Sequence, residues 1–195
     1  MLFNSIEFLI FLPIIFSSYW LLPSRYRYLL LLGASYYFYM SWKAEYIFLI
    51  LITTCVTFYT AICMIQCSVI TKKRYAIASF VINLFILFIF KYFNFFMSSI
   101  ESAVCFIGMD YLAPHLNIIL PVGISFYTFQ ALSYTVDVYR GDINPELHFG
   151  NYALFVSFFP QLVAGPIERS AHLLPQFKKE QVFNESMICS GLRLI

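Results

Sequence analysis

At 195 residues, 61% of them hydrophobic and only 11% charged, the chain carries less than half the charge usual in a soluble domain. A formal net charge of +2 excludes the electrostatic footprint of a nucleic-acid binder, and the Gly and Pro counts exclude a disordered tract. The composition predicts an all-α fold, a polytopic transmembrane helical bundle, with 23 Phe and 15 Tyr to supply a lipid-facing surface.

A spanning helix takes about 20 mostly apolar residues. Residues 6–22 form the first such run. It is expected to be a span and not a secretory leader, because no Lys or Arg precedes it and no small-residue cleavage site follows. Residues 28–42 are a shorter second run, closing on Tyr36, Tyr37, Tyr39 and Trp42, aromatics suited to the membrane interface. Residues 46–66 and 75–97 are full-length runs, the latter with Lys91 placed to snorkel. Residues 117–138 make a fifth, more polar span. Residues 152–167 are apolar but contain Pro160, Gly165 and Pro166, so a re-entrant or interfacial segment is predicted there. A last apolar stretch opens at residue 187 and runs for nine residues. The expectation is a single membrane domain over 1–195, the N-terminal part of a larger protein cut inside a helix.

Positive charge in the short loops predicts orientation. With the N-terminus outside, Arg25, Arg27, Lys72, Lys73, Arg74 and Arg140 all fall in the cytoplasm. Arg169, Lys178 and Lys179 join them only if 152–167 does not cross. This topology predicts a multi-pass protein of the plasma (inner) membrane. The five cysteines, Cys55, Cys63, Cys67, Cys105 and Cys189, are expected to be buried small apolar side chains. Cys63 and Cys67 share a helix face but lack further metal ligands nearby, so no metal site is expected.

The fifth span carries the chemistry. Tyr127, Gln130, Ser133, Tyr134 and Asp137 recur at helical spacing as one polar stripe. Such groups inside a membrane helix face the bundle interior or a water-filled cavity. Two readings stay open: the stripe lines a substrate tunnel, or it holds helices together by hydrogen bonds. Asp137 and Arg140, three apart, are expected to form a structural ion pair. His115, His148 and His172 are expected to be exposed loop residues without a catalytic setting.

Two stretches carry a family resemblance: LPVGISFYTFQALSYTVDVYRG (120–141) and FVSFFPQLVAGPIER (155–169). With the opening MLFNSIEFLIFLPIIFSSYWLLP and the following LLLLGASYYFYMSW, they resemble the membrane-bound O-acyltransferase family. The bacterial branch with the alginate O-acetylation protein and the teichoic-acid D-alanyl transferase is the most similar. The resemblance implies a multi-helix acyltransferase with a tunnel through a thinned bilayer. It moves an acyl group, acetyl in the first instance, from a cytoplasmic-side thioester donor to hydroxyls of an exported cell-envelope polysaccharide. The donor is a co-substrate and no bound cofactor is implied. Implied partners are membrane lipid, the polysaccharide, and an acyl carrier or a second envelope acyltransferase. Arg140, Pro160, Gly165, Pro166 and Arg169 would be structural residues of the motifs. The family's catalytic His lies beyond residue 195, so no catalytic role passes to His115, His148 or His172. Competing readings are a non-catalytic membrane scaffold and a transporter component; the latter predicts internal repeats, and none is evident.

Overall fold

The computed structural model describes residues 4–107, 114–115, 120–162, 165, 168–182 and 185–192. The described residues are mostly helical, with no strand among them. Helix α1 (Ile6–Leu21) starts at Ser5, whose hydroxyl accepts the Phe8 N–H. This satisfies one of the donors that every helix start leaves open. Leu22 is extended and Pro23 precedes α2 (Ser24–Met40). A single 3-10 turn (Ala44–Tyr46) leads into α3 (Ile47–Cys63). Helix α4 (Val69–Leu87) passes through a π-helical turn (Phe88–Tyr92) into α5 (Phe93–Phe106). Then come α6 (Ile124–Arg140), α7 (Phe149–Ser157), the short α8 (Phe159–Leu162), α9 (Ser170–Lys178) and α10 (Glu185–Leu192).

Among the described residues, two stretches are long and apolar enough to cross a bilayer: Ala44–Cys63, 20 residues, and Val69–Phe106, 38 residues. The 16-residue α1 is a shorter apolar helix of the same kind. Their outer faces carry large apolar side chains such as Leu9, Phe48, Val81 and Phe85, each more than 60% exposed. Water would penalise that surface and lipid does not, so the fold is a membrane helical bundle. The helices differ in extent from the apolar runs. The second begins at Ser24, four residues before the run, directly after the extended Pro23. The run at 75–97 lies inside the longer 69–106 unit. Helix α6 begins only at Ile124, after Gly123 turns the chain at φ 73°.

Helices α3, α4 and α6 pack on one another; α1 packs on α2, and α9 on α6 and α7. Helix α7 lies in the middle, against α2, α3, α6 and α9. Tyr152 through Ser157 are buried without interruption. Six consecutive buried residues cover every side of a helix, so this part of α7 is core, and nine residues are too few to span.

One end of the bundle gathers the basic residues. Ser24 Oγ donates to Glu180 Oε1 at 2.8 Å, and Arg27 Nη1 donates to the Gln181 carbonyl at 2.9 Å. Lys178 pairs with Glu146 at 2.6 Å, and Lys73 shares a cavity wall with Tyr139 near the end of α6. Lys91 sits at the opposite end of α6, donating to Ser125 Oγ at 2.9 Å. The cysteines depart from expectation. Cys63, Cys105 and Cys189 are exposed and Cys55 and Cys67 half-buried, and the Cys67 thiol donates to the Cys63 carbonyl at 2.9 Å. Among the described residues, no group of three or more His, Cys, Asp or Glu is placed to hold a metal.

Candidate functional site

Pro160 dictates the local geometry of the second motif. In a continuous helix its ring would strike the carbonyl of residue 156 and its missing N–H would break the ladder. The chain therefore leaves the helix at Phe158 (φ −55°, ψ 109°) and re-enters as α8, with Pro160 in the first turn. The break frees backbone polar groups in the bundle interior, where no water reaches them. Side chains of two other helices meet them. Gln130 Nε2 on α6 donates to the Phe155 carbonyl at 2.8 Å and to Gln161 Oε1 at 3.1 Å. On α2, Ser35 Oγ accepts the Phe159 N–H at 3.2 Å while donating to the Leu31 carbonyl at 2.7 Å. Tyr152 anchors the preceding helix, its hydroxyl donating to Thr57 Oγ1 at 2.6 Å.

The rest of the α6 stripe fans out over neighbouring elements. Tyr134 is fully buried, its ring 4.5 Å from Tyr152, and its hydroxyl accepts the Glu146 N–H at 2.9 Å. The Asp137 carboxylate accepts Ser170 Oγ–H at 2.9 Å, which fixes the start of α9. Tyr127 is fully buried with its ring edge-on to Tyr39, centroids 6.2 Å apart. Ser133 is half-buried and makes no side-chain hydrogen bond among the described residues. The anticipated Asp137–Arg140 pair does not form: Arg140 is exposed, and Ser170 takes the carboxylate instead. At the end of α6 the left-handed Gly141 closes the helix and turns the chain away.

A cavity of about 400 Å³ lies beside this junction. Pro160, Gln161, Gly165, Glu168 and His172 are among its walls. Gln161 is therefore shared: its amide oxygen is held by Gln130, and the residue also faces the cavity. A Cβ on Gly165 would fall 2.8 Å from Gln161 Cα, so only glycine fits there without moving that wall. Pro160 and Arg169 are exposed, and Arg169 precedes α9. Pro166 lies outside the described residues.

His172 is exposed, as expected, but on α9 and not in a loop. His148 caps α7, its Nδ1 accepting the Asn151 N–H, and His115 lies 3.3 Å from Glu101. Sequence reasoning missed Ser35, Gln161 and Glu146. The first two were findable as polar residues in apolar runs. Glu146 gave no signal, since a loop carboxylate is ordinarily solvated. Here it is buried, with His148 N–H on one oxygen and Lys178 on the other.

No family model matches the chain, and no solved structure does. Curated relatives do. The probable alginate O-acetylase AlgI of Azotobacter vinelandii is 39% identical over 91% of this chain and 36% of its own length. The protein of the same name from Pseudomonas aeruginosa is 40% identical over 91% of the chain and 34% of its own length. The peptidoglycan O-acetyltransferase of Helicobacter pylori is 32% identical over 98% of the chain and 42% of its own length. The chain thus spans about a third of the length of the alginate O-acetylases it matches. It is a helical membrane protein, and over the aligned residues it is similar to these O-acetylating proteins, in keeping with the resemblance of its two motifs to the membrane-bound O-acyltransferases. All three relatives are named for O-acetylation.

Proposed function

We propose that these 195 residues form part of the substrate path of an enzyme that acetylates an exported cell-envelope polysaccharide. The observation that carries the reading is Gln130, which ties the first motif to the helix break of the second, beside a cavity. Of the five stripe residues, Gln130 and Asp137 serve this path by holding its wall. Gln130 acts through Gln161, and Asp137 acts through Ser170. The relatives named for acetyl transfer to alginate and to peptidoglycan support a glycan hydroxyl as the acceptor.

In this reading a thioester donor is consumed on the cytoplasmic side. The acceptor hydroxyl attacks the acyl carbonyl while a His acts as general base, an effect worth roughly 10²–10⁴-fold. That His belongs to a part of the enzyme other than these residues. The protein is multi-pass in the inner membrane with its N-terminus outside, which the gathering of basic residues at one end supports. An acyl carrier or a second envelope acyltransferase completes the transfer.

The test replaces Gln130 by Leu in the full-length enzyme and measures acetyl groups on the exported polysaccharide. A fall of roughly ten-fold or more at equal protein level is expected, in the range set by misplaced positioning groups. Phe129→Ala, on the outward face of the same helix, should leave acetylation unchanged. Equal acetylation by both variants would refute the reading. Alanine at His115, His148 or His172 is also expected to leave turnover in place.

A further inference from the structure

A second groove, away from the motif junction, joins two kinds of chemistry. Its wider half is a cavity of about 380 Å³ between the α1–α2 turn and the end of α9. Arg25, Arg27, Lys178 and Lys179 line it, against Glu180 as the one carboxylate among its lining residues. Lys178 is committed to Glu146. Arg27 is held in position by the Gln181 carbonyl at 2.9 Å and the Leu22 carbonyl at 3.2 Å. Its guanidinium lies over the rings of Tyr19 and Trp20, 4.9 and 5.1 Å from their centroids. Glu180 is occupied by Ser24. Among the described residues, the side chains of Arg25 and Lys179 have neither an ion pair nor a hydrogen bond. The cavity therefore holds an excess of positive charge, part of it fixed and part of it free to move.

The narrower half, about 310 Å³, is apolar, with Leu12, Ile15, Phe16 and Phe159 among its walls. Tyr19, Leu31 and Phe177 border both halves, so the two are continuous. The apolar half runs along α1, where Ile14 and Phe16 are 57% and 44% exposed to the surroundings. A soluble anion would use only the basic half and leave the apolar one empty. A neutral lipid would leave the cations unmatched. An amphiphile with an anionic head satisfies both, and it can enter sideways from the bilayer at the level of Tyr19 and Trp20.

We propose that this groove binds one anionic glycerophospholipid, its phosphate among Arg25, Arg27 and Lys179 and an acyl chain along Ile15 and Phe159. The proposal is independent of acyl transfer. Basic residues near the cytoplasmic leaflet attract such lipids by an amount equivalent to roughly five-fold in affinity per cation.

Native mass spectrometry of the detergent-solubilised protein tests it, with phosphatidylglycerol, phosphatidylcholine and water-soluble glycerophosphoglycerol as probes. Phosphatidylglycerol should be retained roughly ten-fold or more over phosphatidylcholine. The double variant R25Q/K179Q, which removes two cations that make no ion pair or hydrogen bond among the described residues, Arg25 resting only over the Tyr26 ring at 5.9 Å, should lower retention to the phosphatidylcholine level. Ile15→Trp, which fills the apolar half, should lower it as well. Equal retention of the two lipids overturns the proposal. So does displacement of phosphatidylglycerol by equimolar glycerophosphoglycerol, which would mean that the phosphate alone is recognised. Undiminished retention by Ile15→Trp overturns it too.

Discussion

Gly33 and Gly123 differ in what surrounds them. A Cβ on Gly33 would meet nothing within 4 Å, whereas one on Gly123 would fall 2.7 Å from the Leu162 carbonyl oxygen, at a φ of 73°. Gly33→Ala should therefore be neutral or raise stability by up to about 1 kcal/mol. Gly123→Ala should cost about 1–3 kcal/mol from the backbone conformation alone, before the clash. Thermal unfolding in detergent would read both. Gln130 is a different case, because its partners persist when it is removed. Gln130→Leu leaves the Phe155 carbonyl buried and unpaired, a cost of about 1–3 kcal/mol. Leu132 is a poor control for that experiment: it is 3% exposed, and truncating such a residue costs about 2–5 kcal/mol. Phe129, 47% exposed on the same helix, isolates the polar effect.

Helix α9 is pinned at both ends, by Ser170 to Asp137 and by Lys178 to Glu146. The second contact is asymmetric. Glu146 is 4% exposed at its side chain and Lys178 is 54% exposed. Deleting the cation strands a buried carboxylate, while deleting the carboxylate frees a lysine that water already reaches. Lys178→Met should therefore destabilise by about 1–2 kcal/mol after discounting for solvent, and Glu146→Gln by less. The double variant should recover part of the Lys178→Met loss; strict additivity in a double-mutant cycle would mean the pair is not coupled. Much at this scale was legible beforehand. Pro160 announces a broken segment through its missing N–H, and the spacing of Gln130, Tyr134 and Asp137 announces an inward face. What the stripe touches was not legible. Gln130 meets residues 25 and 31 positions away, and Asp137 meets one 33 away. Such pairings are set by how helices stack, not by local pattern. The Asp137–Arg140 expectation failed for that reason, since a neighbour from α9 outcompeted a neighbour in sequence.

For the molecule as a whole, the ends of α2, α4, α6 and α9 and their basic residues lie at one end. Single cysteines introduced at positions 25, 73 and 179 should therefore share one labelling behaviour. On the proposed topology, all three resist a membrane-impermeant maleimide in intact cells and react after permeabilisation. Protection of one and labelling of another would mean that the bundle inserts differently from the way it packs. The native cysteines must first be replaced. They lie on outward or half-buried positions, so Cys→Ser or Cys→Ala there should be tolerated.

The docking of α7 and α8 onto Gln130 also constrains biogenesis. A ribosome makes the Gln130 amide before it makes Phe155 and Gln161, the groups that receive it. At bacterial elongation speeds, 31 residues take roughly 2–6 seconds. Gln130 therefore leaves the exit tunnel that interval ahead of Gln161, with an amide that hydrocarbon cannot solvate. Nor can nine-residue α7 partition into lipid by itself. The insertion machinery must therefore keep α6 at a hydrated or protein-lined site until α7 arrives, and release the two together.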